Sequence, residues 1–333
     1  MYISGQKILS SGINNIVKKT VILILKLSVS SILFYFLISR VGTHTIINNI
    51  KALNLTAFLS AVGIYIVATY ISSMRWNLLI HESIKTKRLF SLYMIGSFFN
   101  AYMPGIIGGD AVKAYYLSRV LKSVEHHASR TQHSTLDAFT IAIASVFMDR
   151  YIGFFALLII SIIAFPFGYQ YLEGTHVKWL MPAVLAAFIL GSLVVFKFRF
   201  GERIKFLFKI YEYFQLYSRK KGILFRAFLY SVIIQIFGIT AVYILSRGIS
   251  LNISFMSLMI FVPIIILISF IPVSISGIGL REGAFVVFLG TLGVPSHLAM
   301  TLSIVWFLSS VTASLWGLFE YLRFKAVLGS EVK

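Results

Sequence analysis

One short loop occurs twice in this chain, 168 residues apart, and each copy interrupts an apolar segment with glycine, proline and charge. The first copy reads MPGIIGGDAVKAYYL from Met103, the second IPVSISGIGLREGAF from Ile271. Aligned on Pro104 and Pro272, Gly109 falls on Gly277, Gly108 on Ser276 and Lys113 on Arg281. Proline lacks a backbone donor and glycine disfavours helix, so neither segment reads as one unbroken span. Irregular backbone survives at membrane depth only when protein buries it or water reaches it. Matched broken segments in two halves of a membrane chain point to a transporter-type substrate site. The plainer alternative is a pair of surface loops whose charges are simply solvated.

Membrane depth is the right frame because 58% of the residues are hydrophobic and only 12% charged. A soluble domain would carry about 25% charged residues. Apolar runs near the ~20 residues needed to cross the hydrocarbon core lie at 21–39, 55–73, the later part of 136–165, 179–196, 225–245 and 299–321. Two more, at 89–107 and 255–271, run straight into the repeated loops. The first run has no small-residue cleavage site after it and reads as a retained helix. With 0 cysteines, disulfides, thiolate metal sites and thiol chemistry are excluded.

The net charge of +19 is concentrated in short connections. Nine basic residues lie between Lys197 and Arg226 against Glu202 and Glu212, and Arg75, Lys85, Lys87 and Arg88 crowd another connection. Segments 165–178 and 248–254 carry almost no positive charge. The positive-inside rule puts the basic loops and both termini in the cytoplasm of a plasma (inner) membrane protein. Nucleic acid is not the expected partner, because these charges alternate with spans; anionic lipid headgroups are. The basic 75–88 segment inside and 165–178 outside require an odd number of crossings between them, yet two apolar segments lie there. One of these therefore enters and leaves on the same side, and the same parity holds after 248–254. The expected fold is an all-α polytopic membrane bundle of six to eight spans. It is built as two inverted repeats, about 21–165 and 179–322, each with a broken re-entrant helix. Residues 1–20 read as an amphipathic cytoplasmic segment and 323–333 as a cytoplasmic tail.

Several residues stand out as candidates for substrate binding. After each break the chain can restart as a helix, with Asp110 at the cap of the first and Arg281 and Glu282 in the first turn of the second. A helix N-terminus presents unpaired amides and partial positive charge, which suits a phosphate. Asn100, Gly108, Gly109, Asp110, Lys113, Ser276, Gly277 and Arg281 are the expected headgroup contacts. Asn100 either caps freed carbonyls or lines the same cavity. Asp149, Arg150 and Glu282 form the expected charge network. A charge inside a span costs at least ~2.5–3.5 kcal/mol and normally faces a cavity or partner. Because adjacent helical residues point apart, the expected pairing crosses the halves: Arg150 with Glu282, and Asp149 with Arg281 or Lys113. A purely structural ion pair is the competing reading. Arg75 and Trp76 read as an interfacial anchor, with Arg247 in the comparable place. His81, His126, His127 and His133 lack a carboxylate cluster at ligand spacing, so no metal and no cofactor are expected.

The segments RWNLL at Arg75, NAYMPGIIGGDAVK at Asn100, DRYIG at Asp149 and PVSISGIGLREG at Pro272 resemble the transmembrane domain of the lysylphosphatidylglycerol synthase family. That domain is the flippase-like part of the multiple peptide resistance factor, and it also occurs alone. The likeness covers about residues 20–322 and implies the handling of a lipid with an anionic headgroup. Lys113 stands where the family more often has arginine, which keeps the charge and loses the bidentate fork. The family's aminoacyl-transferase activity resides in a separate soluble domain for which no segment fits, so the resemblance does not imply an enzyme.

Three functions are compatible with these features. The first is a flippase-like transporter of an anionic phospholipid or polyprenyl-phosphate-linked lipid. The second is an accessory subunit of a glycosyl- or acyl-transferring enzyme, with a homo-oligomer or a lipid-modifying enzyme as partner. The third is a membrane enzyme using Asp110, Asp149 or Glu282 on a lipid phosphate, which lacks a histidine or metal cluster near those carboxylates.

Overall fold

A computed structural model describes residues 27–33, 35–39, 42–80, 84–102, 108–127, 137–173, 176–197, 205–271, 274 and 277–330. All regular structure among them is helical. In order the helices are α1 (Leu27–Ser39), α2 (Thr43–Lys51), α3 (Leu55–Leu78), α4 (Thr86–Tyr102), α5 (Gly108–His127) and α6 (Ala138–Leu172). A 3₁₀ turn at His176–Trp179 leads to α7 (Leu180–Lys197), α8 (Lys205–Ser218), α9 (Lys221–Gly248), α10 (Phe255–Ser269), α11 (Leu280–Gly290) and α12 (Ser296–Ser330). The expected segments 1–20, the tips of both repeated loops around Pro104 and Pro272, and Ser276 fall outside the described residues.

Local chemistry sets several of these boundaries. Asn54 caps α3, its Oδ1 accepting from the amides of Thr56 at 2.9 Å and Ala57 at 3.3 Å, and Ser254 caps α10 through the Ser257 amide at 3.0 Å. Such caps contribute about 1 kcal/mol each. The connection read as beginning at 165 starts later, because α6 carries Pro166 within the helix and continues to Leu172.

Among the described residues α3, α6, α9 and α12 are long and apolar enough to cross a membrane, and α1 with α2 makes a fifth if that pair, bent by 82°, is one span. This is fewer than the six to eight expected. The remaining apolar helices are shorter: α4, α10 and α11 have 17, 15 and 11 residues, or about 26, 22 and 16 Å at the helical rise. With 18 residues, α7 spans about 27 Å, just under the ~30 Å hydrocarbon core.

The packing is organised in matching pairs. The most extensive contact is α3 on α9. These helices run antiparallel, since the Asn54 amide at the start of α3 donates to Gly248 O at the end of α9 at 2.9 Å. Near the other end, Arg75 reaches Ser231. Around this axis α4 packs on α5 and α12, while α10 packs on α11 and α6. Two buried apolar clusters result. One gathers Trp76, Leu79, Leu89, Leu92, Leu117 and Met148; the other gathers Val242, Leu245, Phe261, Phe285, Phe288 and Val305. Large exposed side chains such as Leu59, Ile163, Leu190, Phe225 and Phe319 face outward, as lipid contact requires. Basic α8 docks by Tyr213, whose hydroxyl donates to Leu79 O just beyond α3. Burial pushes the Tyr213 phenol well above its ordinary value, so it remains a donor at physiological pH.

Candidate functional site

Five charged side chains of the first half alternate in sign along one connected line: Arg75, Asp149, Lys113, Asp110 and Arg150. Arg75 Nε lies 2.9 Å from Asp149 Oδ1, and Lys113 Nζ lies 3.5 Å from Asp149 Oδ2 and 3.9 Å from Asp110 Oδ1. Arg150 grips Asp110 with both arms of its fork, Nε to Oδ2 and Nη2 to Oδ1, each at 2.9 Å. Bidentate charge-assisted pairs of this kind are the strongest the chain can form.

The line runs from a sealed end to an open one. Asp149 is fully buried and also accepts from the Tyr93 hydroxyl of α4 at 2.9 Å. Arg75 Nη1 donates to Ser231 Oγ of α9 at 2.8 Å, and Trp76 Nε1 donates to Ser145 Oγ at 3.2 Å. Lys113 is 1% exposed, and among the described residues its ammonium finds no hydrogen-bond partner. It lies instead over two aromatic faces, 3.9 Å from the Tyr93 ring centre and 4.5 Å from that of Trp76. Such faces attract a desolvated cation by up to about 2 kcal/mol. At the other end the Asp110 side chain is 17% exposed and that of Arg150 42%.

The break before α5 makes this possible. Asp110 and Lys113 share one face of its first turns, as i, i+3 residues do. A Cβ on Gly109 would stand 1.9 Å from Gly96 O and 2.6 Å from Asn100 Cγ, so only glycine lets α5 approach α4 this closely. Asn100 bridges the break by accepting from the Gly109 amide at 2.9 Å. It therefore satisfies an amide, where sequence suggested freed carbonyls. Gly108, not Asp110, opens the helix, and Asp110 lies in the first turn.

In the second loop Gly277 and Gly279 adopt φ of +76° and +87°, a region that favours glycine. Arg281 and Glu282 then fall in the first turn of α11, as expected. Glu282 Oε2 accepts from the Gly279 amide at 2.7 Å, and its Oε1 accepts from Arg281 Nη2 at 2.5 Å and from Ser303 Oγ at 3.2 Å. The Arg281 guanidinium also stands 4.5 Å over the Phe307 ring.

These contacts correct the expected pairing across the halves. Arg150 meets Asp110 rather than Glu282, whereas Asp149 meets Lys113, one of its two expected partners, together with Arg75. The neighbours Arg281 and Glu282 pair with each other because Glu282 folds back to the Gly279 amide, within reach of the long arginine. Each loop packs on the preceding helix of its own half, Gly109 against Gly96 and Gly277 against Ser269.

Arg75 is the main correction. It is no interfacial anchor: it is 5% exposed and holds Asp149. Its neighbours Ser72 and Ser73 are buried too, and small hydroxyl residues at that end of a span signal helix contact rather than lipid. Arg247, the residue compared with it, lies over the Tyr243 ring at 5.1 Å in an exposed position.

The halves are unequal in charge. Helices α6 and α12 both have 35 residues. Aligned at their first residues, Ser145 falls on Ser303 and Asp149 on Phe307. The open charged line belongs to the first half, and the second half holds a closed pair in its place.

No curated protein matches the chain. The family model for the lysylphosphatidylglycerol synthase TM region matches residues 23–317, from the first apolar run into the second half of α12. The matched range takes in all five residues of the charged line and both repeated loops, and the chain belongs to this lipid-related family as a multi-pass membrane protein.

Proposed function

We propose that the protein is a flippase-like lipid transporter that takes the headgroup of an anionic phospholipid or polyprenyl-phosphate-linked lipid at the Asp110–Arg150 edge. The observation that carries this reading is the graded charge line, with a partly exposed arginine at one end and a buried, unsatisfied ammonium behind it. Charge on a span is retained where it faces a cavity or a substrate path. Arg150 lies 12 residues into α6, about 18 Å along its axis, on a helix long and apolar enough to cross a membrane. Asn100, Gly108 and Gly109 line the break beside it, with Lys113 supplying positive charge from within.

In this reading the tails stay against the outward apolar faces while the headgroup enters among the charges. Internal pairing of Arg75 with Asp149 keeps the site intact when it is empty. Arg281 and Glu282, together with Gly277, shape the matching break of the second half. The basic connections and both termini lie in the cytoplasm, where the positive charge attracts anionic lipid at about 1 kcal/mol per residue.

Reconstitution in liposomes with headgroup-labelled phosphatidylglycerol tests the reading. Protein-dependent exchange of the label between leaflets is expected, reduced at least about tenfold by Arg150→Gln. A folded, reconstituted wild-type protein that moves neither labelled phosphatidylglycerol nor a labelled polyprenyl phosphate would refute it.

A further inference from the structure

With every group ionised, the charged line of the first half has three cations and two anions. Without one proton of Lys113 the remainder balances, Arg75 against Asp149 and Arg150 against Asp110, each pair hydrogen-bonded. Both forms of Lys113 have a place here. The ammonium lies 3.5 Å from Asp149 Oδ2 and over the faces of Tyr93 and Trp76. The neutral amine leaves no broken pair behind, because among the described residues the ammonium has no hydrogen-bond partner.

The groups facing Lys113 are Arg75 and Trp76 of α3, Tyr93 of α4, Asp110 of its own helix, and Asp149 and Arg150 of α6. Among them Asp110 joins the sealed lysine to the open edge. Its Oδ1 is 3.9 Å from Lys113 Nζ and its side chain is 17% exposed, whereas Asp149 is fully buried. A displacement of about 1 Å turns that distance into a hydrogen bond.

We propose that Lys113 is a proton-carrying site and that lipid movement through this protein is coupled to a proton gradient. This rests on the lipid-handling reading above and adds a driving force to it. In the transfer an N–H bond of Lys113 breaks, its electron pair stays on Nζ, and an O–H bond forms on Asp110 Oδ1. Asp110 then yields the proton to water at the Arg150 edge. With the proton on Lys113 the line carries one surplus positive charge and admits an anion. With the proton gone the line is neutral and the anion leaves. One proton thus moves with one negative charge, and the coupled movement is electroneutral.

The test uses phosphatidylcholine proteoliposomes with a trace of headgroup-labelled phosphatidylglycerol and a gradient of about one pH unit. Wild type should raise the label in the leaflet facing the alkaline side by about tenfold, the limit for one proton per singly charged lipid. Nigericin, which collapses the pH gradient, should abolish the asymmetry, and a potassium diffusion potential set with valinomycin should leave it unchanged. Arginine holds its proton throughout, so any exchange that Lys113→Arg retains should end with equal label in both leaflets. A second readout needs no transport, because the Trp76 ring lies 4.5 Å from the ammonium. Tryptophan emission of the purified chain should change in one step below about pH 9, before ordinary tyrosines ionise. That step should be absent from Trp76→Phe and from Lys113→Arg. If Lys113→Arg fails to fold, Trp76→Phe and the wild-type gradient response carry the same test. A wild type that reaches the same leaflet ratio with and without the gradient overturns the coupling and leaves the lipid reading standing. An asymmetry that follows the valinomycin potential overturns the electroneutral step. Emission without a step, or a step that persists in Lys113→Arg, overturns the proton site. A folded wild type that moves neither this lipid nor a labelled polyprenyl phosphate refutes the lipid reading and the coupling with it, and the emission step alone then decides the proton site.

Discussion

Arg75 and Asp149, 74 residues apart in sequence, meet at 2.9 Å in the interior of the bundle, with the carboxylate fully buried. This contact ties the end of α3 to the first half of α6, and Ser231 extends it to α9. Asp149 also accepts from Tyr93 and faces Lys113. It is the point on which four helices agree.

Replacing Asp149 with asparagine should therefore destabilise the protein by about 3–5 kcal/mol, because two buried cations lose their counter-charge at once. Arg75→Lys keeps the charge but cannot serve Asp149 and Ser231 together, and should cost about 1–3 kcal/mol. Thermal unfolding followed by size-exclusion fluorescence would rank the two. An Asp149→Asn variant as heat-resistant as wild type would show that the contact does not hold the bundle.

Gly109 and Gly238 should respond in opposite directions to alanine replacement. Gly109→Ala drives a methyl group into Gly96 O and Asn100, and should cost about 1–3 kcal/mol as α4 and α5 separate. Gly238, within α9, has nothing within 4 Å of its added Cβ. Gly238→Ala should stabilise by about 0.5–1 kcal/mol through backbone entropy alone. Equal melting shifts of the same sign for both variants would contradict the close crossing.

In the second loop Glu282 accepts from the Gly279 amide, Arg281 and Ser303, whereas Arg281 also rests on Phe307. Glu282→Gln should cost about 3–5 kcal/mol, and Arg281→Lys about 1 kcal/mol. Protein yield and melting temperature should fall in that order. The reverse order would mean that the arginine, not the carboxylate, organises the start of α11.

Topology can be checked in intact cells because the chain has 0 cysteines. Lys205→Cys and Lys220→Cys should resist an impermeant thiol reagent, and Ser250→Cys should react with it. Labelling at 205 or 220 from outside would invert the proposed orientation.

The long apolar helices and the membrane class were legible in the sequence because each is set locally, whereas α2 and α8 were not, since neither is an apolar run. Apolar length decides α3, α6, α9 and α12. Position 113 and its match at 281 were recognisable as paired cations for the same reason, since a repeat is a one-dimensional signal. Which charge meets which was not legible. An arginine ending an apolar run looks the same whether it turns toward headgroups or inward, and Arg75 turns inward only because α6 brings Asp149 beside it. Adjacent residues Asp149 and Arg150 take different partners because the helix points Asp149 into the interior, among Arg75, Tyr93 and Lys113, and Arg150 toward the exposed Asp110 edge. The fold-back of Glu282 onto Gly279 depends on the positive φ of that glycine. Linear spacing determined where charges enter the membrane, and tertiary packing alone decided their partners, because Coulomb pairing at about 3 Å is fixed by helix placement in space and not by distance along the chain.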